Sequence, residues 1–464
     1  MAHYFRFKTL DELRQECARL KVDLVFQDDL SPLFTSVTIG NKVLGNRLCI
    51  HPMEGCDGTT DGHPGDLTER RYRRFGSGGA KLIWGEAAAV VPEARANSRQ
   101  LIADVSHLTS LARLAELTRN AHLEAFGKDD DLLIGLQLTH SGRYSYQQPL
   151  IACHDELLDA RLKSPARYLS DEDLKRLEDD YVTAAHVAYR AGFQFVDLKQ
   201  CHRYLLNELL SARTRPGPYG GCFENRTRLA RNILSRCRQE LPSLILASRI
   251  NLFDGIPFKR MSDNKGQAVC CTLPLSNYWG VNPSQPDMPD LNEPVQWIGE
   301  MHSLGVSLFN LTMGNPYASP HYLRPFEYPP PDGYATPEHP LEGVHRHLHL
   351  AGQVQLSYPQ LPCVGSGYSW LQEFLFNAGA ASIQQGKISL VGVGRASLSQ
   401  PDFAKQLMDH GKLDRKRVCR TFSYCTALMR SKHNAEGQFV TGCPPFDKEV
   451  YGPVWKQAKE TMPE

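Results

Sequence analysis

Eight short apolar runs, spaced along the chain and separated by helical or loop-like stretches, constrain this sequence more than any other feature. They are Leu48–Ile50, Lys81–Gly85, Leu132–Leu138, Phe193–Leu198, Leu244–Arg249, Val306–Thr312, Leu361–Val364 and Ser389–Val393. Runs of this length suit strands buried on both faces, and strands alternating with helices imply a parallel sheet. Eight such units predict an α/β fold, a closed (β/α)8 barrel, in which chemistry collects at the C-terminal ends of the strands. Two of the intervening helices are easy to place. Ser170 and Asp173 form a capping pair, and Leu174, Leu177, Tyr181, Ala185 and Ala188 follow at helical spacing up to Gly192. Leu229, Ile233, Leu234 and Cys237 make a similar stripe before Pro242.

Two insertions break the rhythm. Residues 255–300 are rich in Pro, Asn and Asp, and residues 314–345 contain "NPYASPHYLRPFEYPPPDGYATPEHP". Loops this long in a compact domain commonly serve as lids or binding walls. The expected division of the 464 residues is an N-terminal helical extension over 1–32, the barrel over 33–410 and a C-terminal extension over 411–464.

Composition narrows the function classes. A net charge of +1 gives no attraction to nucleic acid or an anionic membrane. No stretch approaches 18 uncharged apolar residues, so no membrane span is expected. The opening "MAHYFRFKTLDELRQECARL" carries acids and no long apolar core, which argues against a signal peptide and for a cytoplasmic protein. The 13 cysteines are scattered and odd in number, which suits small buried hydrophobes rather than a disulfide framework.

The ends of the apolar runs carry the polar chemistry. In order they read "HPMEGCDG", "WGEAAA", Gln137 with "THSGR", "DLKQCHRYL", "ASRIN" with Arg249, and, at the seventh and eighth, "VGSGY" and "VGVGRASL". Glycine-rich turns on the last two strands of a barrel form its usual phosphate site, because small residues let backbone N–H groups approach an anion. An interior Arg249 needs an electron-rich partner. Gln137 both donates and accepts hydrogen bonds. His140 and Arg143, just beyond Gln137, read either as a pocket rim or as structural groups, with Arg143 expected to pair with an acid. Phosphate, polar ring edge and fixed positive charge together suit flavin mononucleotide.

At this point a resemblance emerges. "NRLCIHPMEG", "GLQLTHSGRYSYQ", "HRYLLNELLSARTRPGPYGGCFENRTR" and "VGVGR", in that order across roughly residues 33–410, resemble the Old Yellow Enzyme family of NAD(P)H:flavin oxidoreductases. "THSGRYSYQ" leans toward its 2,4-dienoyl-CoA reductase branch. The resemblance implies noncovalent FMN at the barrel mouth. Gln137 would meet the pyrimidine edge, and Arg249 the N1–C2 carbonyl region. Pro52, Met53, Glu54 and Ala87 would line the ring, and Gly365, Gly367, Gly394 and Arg395 would hold the phosphate. Such enzymes take hydride from NADH or NADPH and pass it to carbon in a second substrate. No strand-linked G-x-G-x-x-G is present to choose between the nucleotides or to form a separate nucleotide domain.

Two departures stand out. Family members carry His-x-x-His or His-x-x-Asn over the flavin, followed by a Tyr proton donor. This chain has Lys199, His202 and Tyr204. Lys199 either stabilises a developing enolate or favours an anionic substrate, or it turns aside to pair with Glu54 or Glu86. His202 is an oxygen anchor or a structural histidine; Tyr204 is the proton donor or a pocket wall. Glu54 stands where relatives place Cys, Thr or His, and a carboxylate there would repel an anionic reduced ring unless Lys199 neutralised it.

Iron–sulfur members of the family carry four cysteines near the C-terminus, two of them in C-x-x-C. Here Cys419, Cys425 and Cys443 remain and Phe422 occupies the second position of the C-x-x-C. Three thiolates leave one iron of a four-iron cluster unserved, so no iron–sulfur cluster is expected. His433 would complete a zinc set by composition, against irregular spacing; the expectation is a small cap without metal. The resulting expectation is an ene-reductase of an activated C=C, with protonation by Tyr204. The alternatives are a flavin-dependent dehydrogenase of an amine or cyclic substrate and a non-catalytic flavin-binding barrel. Expected partners are a small-molecule substrate and, at most, further copies of the same chain.

Overall fold

The eight runs become eight parallel strands of one closed barrel: β1 (Leu48–Ile50), β2 (Leu82–Ala89), β3 (Leu133–Thr139), β4 (Phe195–Leu198), β5 (Ile245–Asn251), β6 (Val306–Thr312), β7 (Cys363–Gly365) and β8 (Leu390–Val393). This is a computed structural model, in which residues 3–434 and 437–462 are described, without the side chains of 432–434. Each strand pairs with its neighbours in sequence, and β8 closes on β1 through Val391–Leu48 and Val393–Ile50. Helices α1 (Asp66–Gly76), α2 (Leu108–Phe126), α3 (Asp171–Arg190), α4 (Phe223–Glu240), α5 (Asn292–Ser303), α6 (Pro340–Ser357), α7 (Leu375–Gln384) and α8 (Phe403–His410) follow the eight strands in turn. The α3 cap forms as expected: Ser170 Oγ accepts from the Asp173 N–H, and the Asp173 carboxylate accepts from the Ser170 N–H.

Strand β2 is longer than its apolar run. It continues past Gly85 because Ala87, Ala88 and Ala89 pair with Gln137, Leu138 and Thr139, after a register shift between Trp84 and Ala87. A side chain at Gly85 would meet the Gly135 carbonyl oxygen at 2.3 Å, so only glycine passes there. The shift carries Ala87 up to the level of Gln137, at the top of the barrel.

The barrel interior is a small apolar core of its own, with Cys49, Leu82, Trp84, Leu133, Phe195 and Leu308 among its members. Ile39 and Leu44, from the hairpin Val37–Ile39/Lys42–Leu44, join this core and close the N-terminal end. The opposite end stays polar and open.

The helix Leu10–Leu20 sinks Leu13 and Cys17 into the larger core between strands and outer helices. The 255–300 insertion forms two small hairpins, Phe258–Arg260/Gly266–Ala268 and Val281–Asn282/Gln285–Pro289. Beyond α8, helices Tyr424–Arg430 and Lys448–Thr461 pack through Leu428, Phe439, Tyr451 and Ala458. Asp447 ties this segment to α1 by ion pairs with Arg70 and Arg74, at 2.8 and 2.5 Å. All 13 cysteines are free thiols. Among the described residues, no helix is long and apolar enough to cross a membrane.

Candidate active site

The C-terminal ends of the strands converge on one open cleft. Past β1 come His51, Pro52, Met53 and Glu54, while β2 and β3 add Ala87 and Gln137. From β4 to β6 the cleft takes Lys199, His202, Arg249 and Thr312. The turns after β7 and β8 contribute Ser366, Gly367, Ser369, Gly394 and Arg395. The 314–345 insertion lends Pro316, Leu323 and Arg324, and the C-terminal segment lends Met429. Of the residues named from the sequence, Gly365, Tyr204, Glu86, His140 and Arg143 are not in its lining.

Positive charge dominates the far side of the cleft. Arg249, Arg324 and Arg395 make no ion pair among the described residues, and each leaves buried N–H groups without a partner: Nε of Arg249, Nε and Nη2 of Arg324, Nη1 of Arg395. Arg395 spends one Nη2 hydrogen bond on the Pro325 carbonyl, at 2.8 Å. Burial, with the Arg395 cation beside it, lowers the Arg324 guanidinium from its ordinary value. Unpaired buried cations are costly, so the cluster is built for an anion. Gly367 has φ of +93°, and a side chain there would strike His347 at 2.5 Å. Gly365 lies beneath, where an added side chain would meet the Tyr368 hydroxyl at 2.7 Å. It supports the turn and leaves the cleft wall to Ser366 and Gly367.

Gln137 is oriented from behind. Its Nε2 donates to Asp197 Oδ2 at 2.5 Å, and Trp84 Nε1 donates to the same oxygen at 2.7 Å. The Arg249 backbone N–H takes the other carboxylate oxygen, at 2.6 Å. Burial pushes Asp197 up to about 6, against these three donors. Because a carboxylate only accepts, it fixes the amide with its carbonyl oxygen directed away from Asp197, toward the cleft.

His51 lies between Asn310 Nδ2 and Ser366 Oγ, at 3.0 and 3.1 Å, and burial beside Arg249 holds it neutral. Burial and the Arg249 and Lys199 charges likewise hold His202 neutral. Its Nε2 lies 3.4 Å from Thr312 Oγ1. His202 and Arg203 both adopt left-handed backbone, φ of +65° and +62°. Asn251 Oδ1 accepts the His202 N–H, Asn207 Oδ1 accepts the Arg203 N–H, and Arg203 pairs with Asp155 and Asp254 at 2.7 and 3.1 Å. These contacts hold the tight turn that brings His202 over the opening.

Lys199 forms no ion pair with Glu54 or Glu86. Its Nζ rests 3.6 Å from the Tyr204 ring centroid. Glu86 is taken by Arg71, at 2.5 Å, and Arg71 also pairs with Asp57. Asn97 Nδ2 donates to Glu54 Oε1. Burial lowers the Lys199 ammonium and raises the Glu54 carboxyl from their ordinary values. The Tyr204 hydroxyl meets Tyr317, at 3.1 Å, in a cluster with Tyr144.

His140 and Arg143 are structural. The His140 Nδ1 accepts from the Gly142 N–H at 3.0 Å, and burial lowers its pKa to about 3. Arg143 pairs with Glu208 and Asp159, at 2.6 and 2.9 Å. Neither lines the cleft.

Cys419, Cys425 and Cys443 gather around a second cavity with Phe422, on the other side of Arg395. Three thiols and a phenyl ring do not match the donor set of a four-iron cluster. Among the described residues, no group of three or more His, Cys, Asp or Glu is placed to hold a metal ion. The side chain of His433 is not among those described.

The cleft lining missed in the sequence comprises His51, Thr312, Pro316, Leu323, Arg324, Ser366, Ser369 and Met429. His51, Thr312 and Ser366 sit at strand ends already marked as the active face, which was the signal for them. Arg324 and Met429 come from segments with no local pattern.

Comparison with known proteins agrees with this architecture. The model of the NADH:flavin oxidoreductase / NADH oxidase family matches residues 32–295. An NADPH dehydrogenase of Bacillus subtilis (strain 168) is 31% identical over 214 residues, 45% of this chain; the match spans 60% of that relative's length. Among solved structures, a 2-naphthoyl-CoA reductase complex superposes with a TM-score of 0.65 at 18% identity, over 93% of this chain and 58% of that one. The Old Yellow Enzyme homologue from Zymomonas mobilis superposes with a TM-score of 0.58 at 19% identity, over 84% of this chain and 96% of that one. An eight-stranded barrel with this family match makes the chain a member of the NADH:flavin oxidoreductase family to which Old Yellow Enzyme belongs.

Proposed function

We propose that this chain is an FMN-dependent NAD(P)H oxidoreductase that reduces an activated C=C bond, of the enone or enoate kind, in a small-molecule substrate. The observation that carries this reading is the set of unpaired N–H groups on Arg249, Arg324 and Arg395 around one cleft. Arg324 and Arg395, with the turns at Gly367 and Gly394, would hold the FMN phosphate. Arg249 would place positive charge beside the N1–C2 carbonyl region of the ring. The Gln137 carbonyl oxygen is oriented to accept from the ring imide N–H, and Pro52, Met53 and Ala87 would line the ring. FMN supplies a hydride carrier that NADH or NADPH loads and the second substrate unloads.

Lys199 and His202 face the same opening and would hold the substrate carbonyl oxygen. The neutral His202 ring can give one directed hydrogen bond, and the Lys199 ammonium adds charge where an enolate develops. Gly365 supports the phosphate turn from below. Tyr204, whose ring centre lies 3.6 Å from Lys199 Nζ and whose hydroxyl bonds with Tyr317, would supply the proton. The three C-terminal cysteines take no part in this reading.

Anaerobic mixing tests it. Purified protein reconstituted with FMN should bleach on addition of NADPH or NADH and regain its yellow band when an enone is added. Protein that folds yet stays colourless after reconstitution, or is bleached by an amine and not by nicotinamide, would overturn the reading.

A further inference from the structure

We propose that Tyr317 is the relay partner of Tyr204, returning to it the proton that Tyr204 delivers to the substrate carbon; this rests on reading the cleft as a flavin-dependent reductase site with Tyr204 as its acid. The Tyr204 hydroxyl lies 3.1 Å from the Tyr317 hydroxyl, its one hydrogen-bond partner among the described residues. Tyr204 follows β4 and is buried, whereas Tyr317 belongs to the insertion after β6 and keeps part of its surface exposed.

A phenol has one proton to give. With Tyr317 as donor, the Tyr204 oxygen accepts and its own O–H is free for the substrate. The other groups around Tyr204 are not placed to refill it. Lys199 Nζ rests against the ring, 3.6 Å from its centre, and makes no hydrogen bond to the hydroxyl among the described residues. Tyr144 meets the Tyr204 ring edge-on, and Asn315 Nδ2 donates to its hydroxyl at 2.6 Å. His202 Nε2 lies against Thr312.

Tyr317 is set to carry charge in passing. The Arg430 guanidinium lies 4.3 Å from the centre of its ring, and Arg430 is held there by Asp332 at 2.5 Å and the Pro316 carbonyl at 2.6 Å. Tyr144 stacks on the same ring at 4.2 Å, and Asn315 Oδ1 accepts the Tyr317 N–H at 2.8 Å. Burial raises the Tyr317 phenol, with Glu54 and Cys56 acting the same way, while Arg430 and the bond with Tyr204 oppose it. Burial also raises Tyr204, and there Tyr317, Glu54 and Tyr144 all add to it. The proton therefore passes from Tyr317 to an ionised Tyr204 rather than the reverse.

In the reaction, hydride adds to one alkene carbon and the π pair moves to its neighbour. That carbon takes the Tyr204 proton, and the O–H pair stays on the Tyr204 oxygen. Tyr317 then gives its proton across the hydrogen bond, and water restores Tyr317 beside Arg430. NAD(P)H is oxidised by two electrons, the alkene is reduced by two, and one proton is drawn from water.

The test uses FMN-loaded wild type, Tyr204→Phe, Tyr317→Phe and Lys199→Met, each prereduced and mixed with 2-cyclohexenone while flavin absorbance and a pH-indicator dye are read together. In wild type, proton uptake should keep pace with reoxidation. General acid catalysis contributes about 100-fold or more, so Tyr204→Phe should reoxidise at least ~100-fold more slowly. In Tyr317→Phe, proton uptake should lag behind reoxidation by a similar factor, and steady-state turnover should fall far more than the first turnover. Alkaline ultraviolet titration without flavin should assign the first ionisation of the pair to Tyr317: lost in Tyr317→Phe, kept in Tyr204→Phe and shifted upward in Arg430→Met. Uptake in step with reoxidation in Tyr317→Phe, first and later turnovers falling alike, a lag in Lys199→Met alone, the reverse order of ionisation, or Tyr204→Phe matching wild type overturns this proposal and leaves the reductase reading standing. A wild type that no enone reoxidises overturns both.

Discussion

The ammonium of Lys199 sits 3.6 Å from the centre of the Tyr204 ring, five residues along the same strand end. A desolvated cation over an aromatic face is worth about 2 kcal/mol. The contact explains how an unpaired lysine persists at the cleft without a carboxylate partner, and it leaves its charge available to a ligand.

Removing that charge should reorder ligand preference. Lys199→Met should weaken binding of carboxylate-bearing enoates by about 10-fold to 100-fold, the equivalent of one charge-assisted hydrogen bond. Neutral enones should lose less. Flavin absorbance titration with matched acid and ester ligands checks this; equal losses for both would place Lys199 outside substrate recognition.

Phosphate selectivity should reside in the two arginines at the β7–β8 side. Arg324→Ala should weaken FMN binding to the apoprotein by about 10-fold to 100-fold and leave riboflavin, which lacks the phosphate, nearly unaffected. Quenching of flavin fluorescence measures both. Arg395→Ala should behave similarly, with some stability lost because the Pro325 carbonyl loses its donor.

The turn that presents His202 depends on a buried ion triad. Arg203→Met leaves Asp155 and Asp254 without their cation. Breaking a buried pair from one side costs about 3–5 kcal/mol. Urea unfolding should show that loss, together with weaker ligand binding as the turn relaxes.

Acid should destabilise the fold through His140. Its pKa is about 3 in the folded chain against an ordinary 6.5, so between those values the unfolded chain binds the extra proton and stability falls as pH drops. Asp197, raised to about 6, works in the opposite sense, its contribution being lost as pH rises through that value. His140→Asn retains an acceptor for the Gly142 N–H and removes the titration. Near pH 5 it should reduce the pH slope of stability by about 1.4 kcal/mol per unit, measured by urea unfolding at successive pH values.

The barrel and much of its polar rim were legible before any coordinates. Gln137, Arg249, Gly394 and Arg395 end buried runs, and in a parallel barrel every strand end on one side faces one opening. Arg324 was hidden because it lies in a proline-rich insertion without periodicity, and its role depends on where that loop folds back. The partner of Tyr204 was hidden likewise, since its hydroxyl meets Tyr317 across more than a hundred residues of chain.

The order of apolar runs by itself determined the strand number, their parallel direction and the face on which polar groups gather, because those follow from periodicity and chain connectivity. Which charges remain unpaired was decided only by tertiary structure. Arg71 takes Glu86, Asn97 takes Glu54, and Lys199 is left to an aromatic ring. Partner choice among buried charges depends on distances between segments far apart in sequence, and Coulomb energies change several-fold over a few ångströms in a low-dielectric interior.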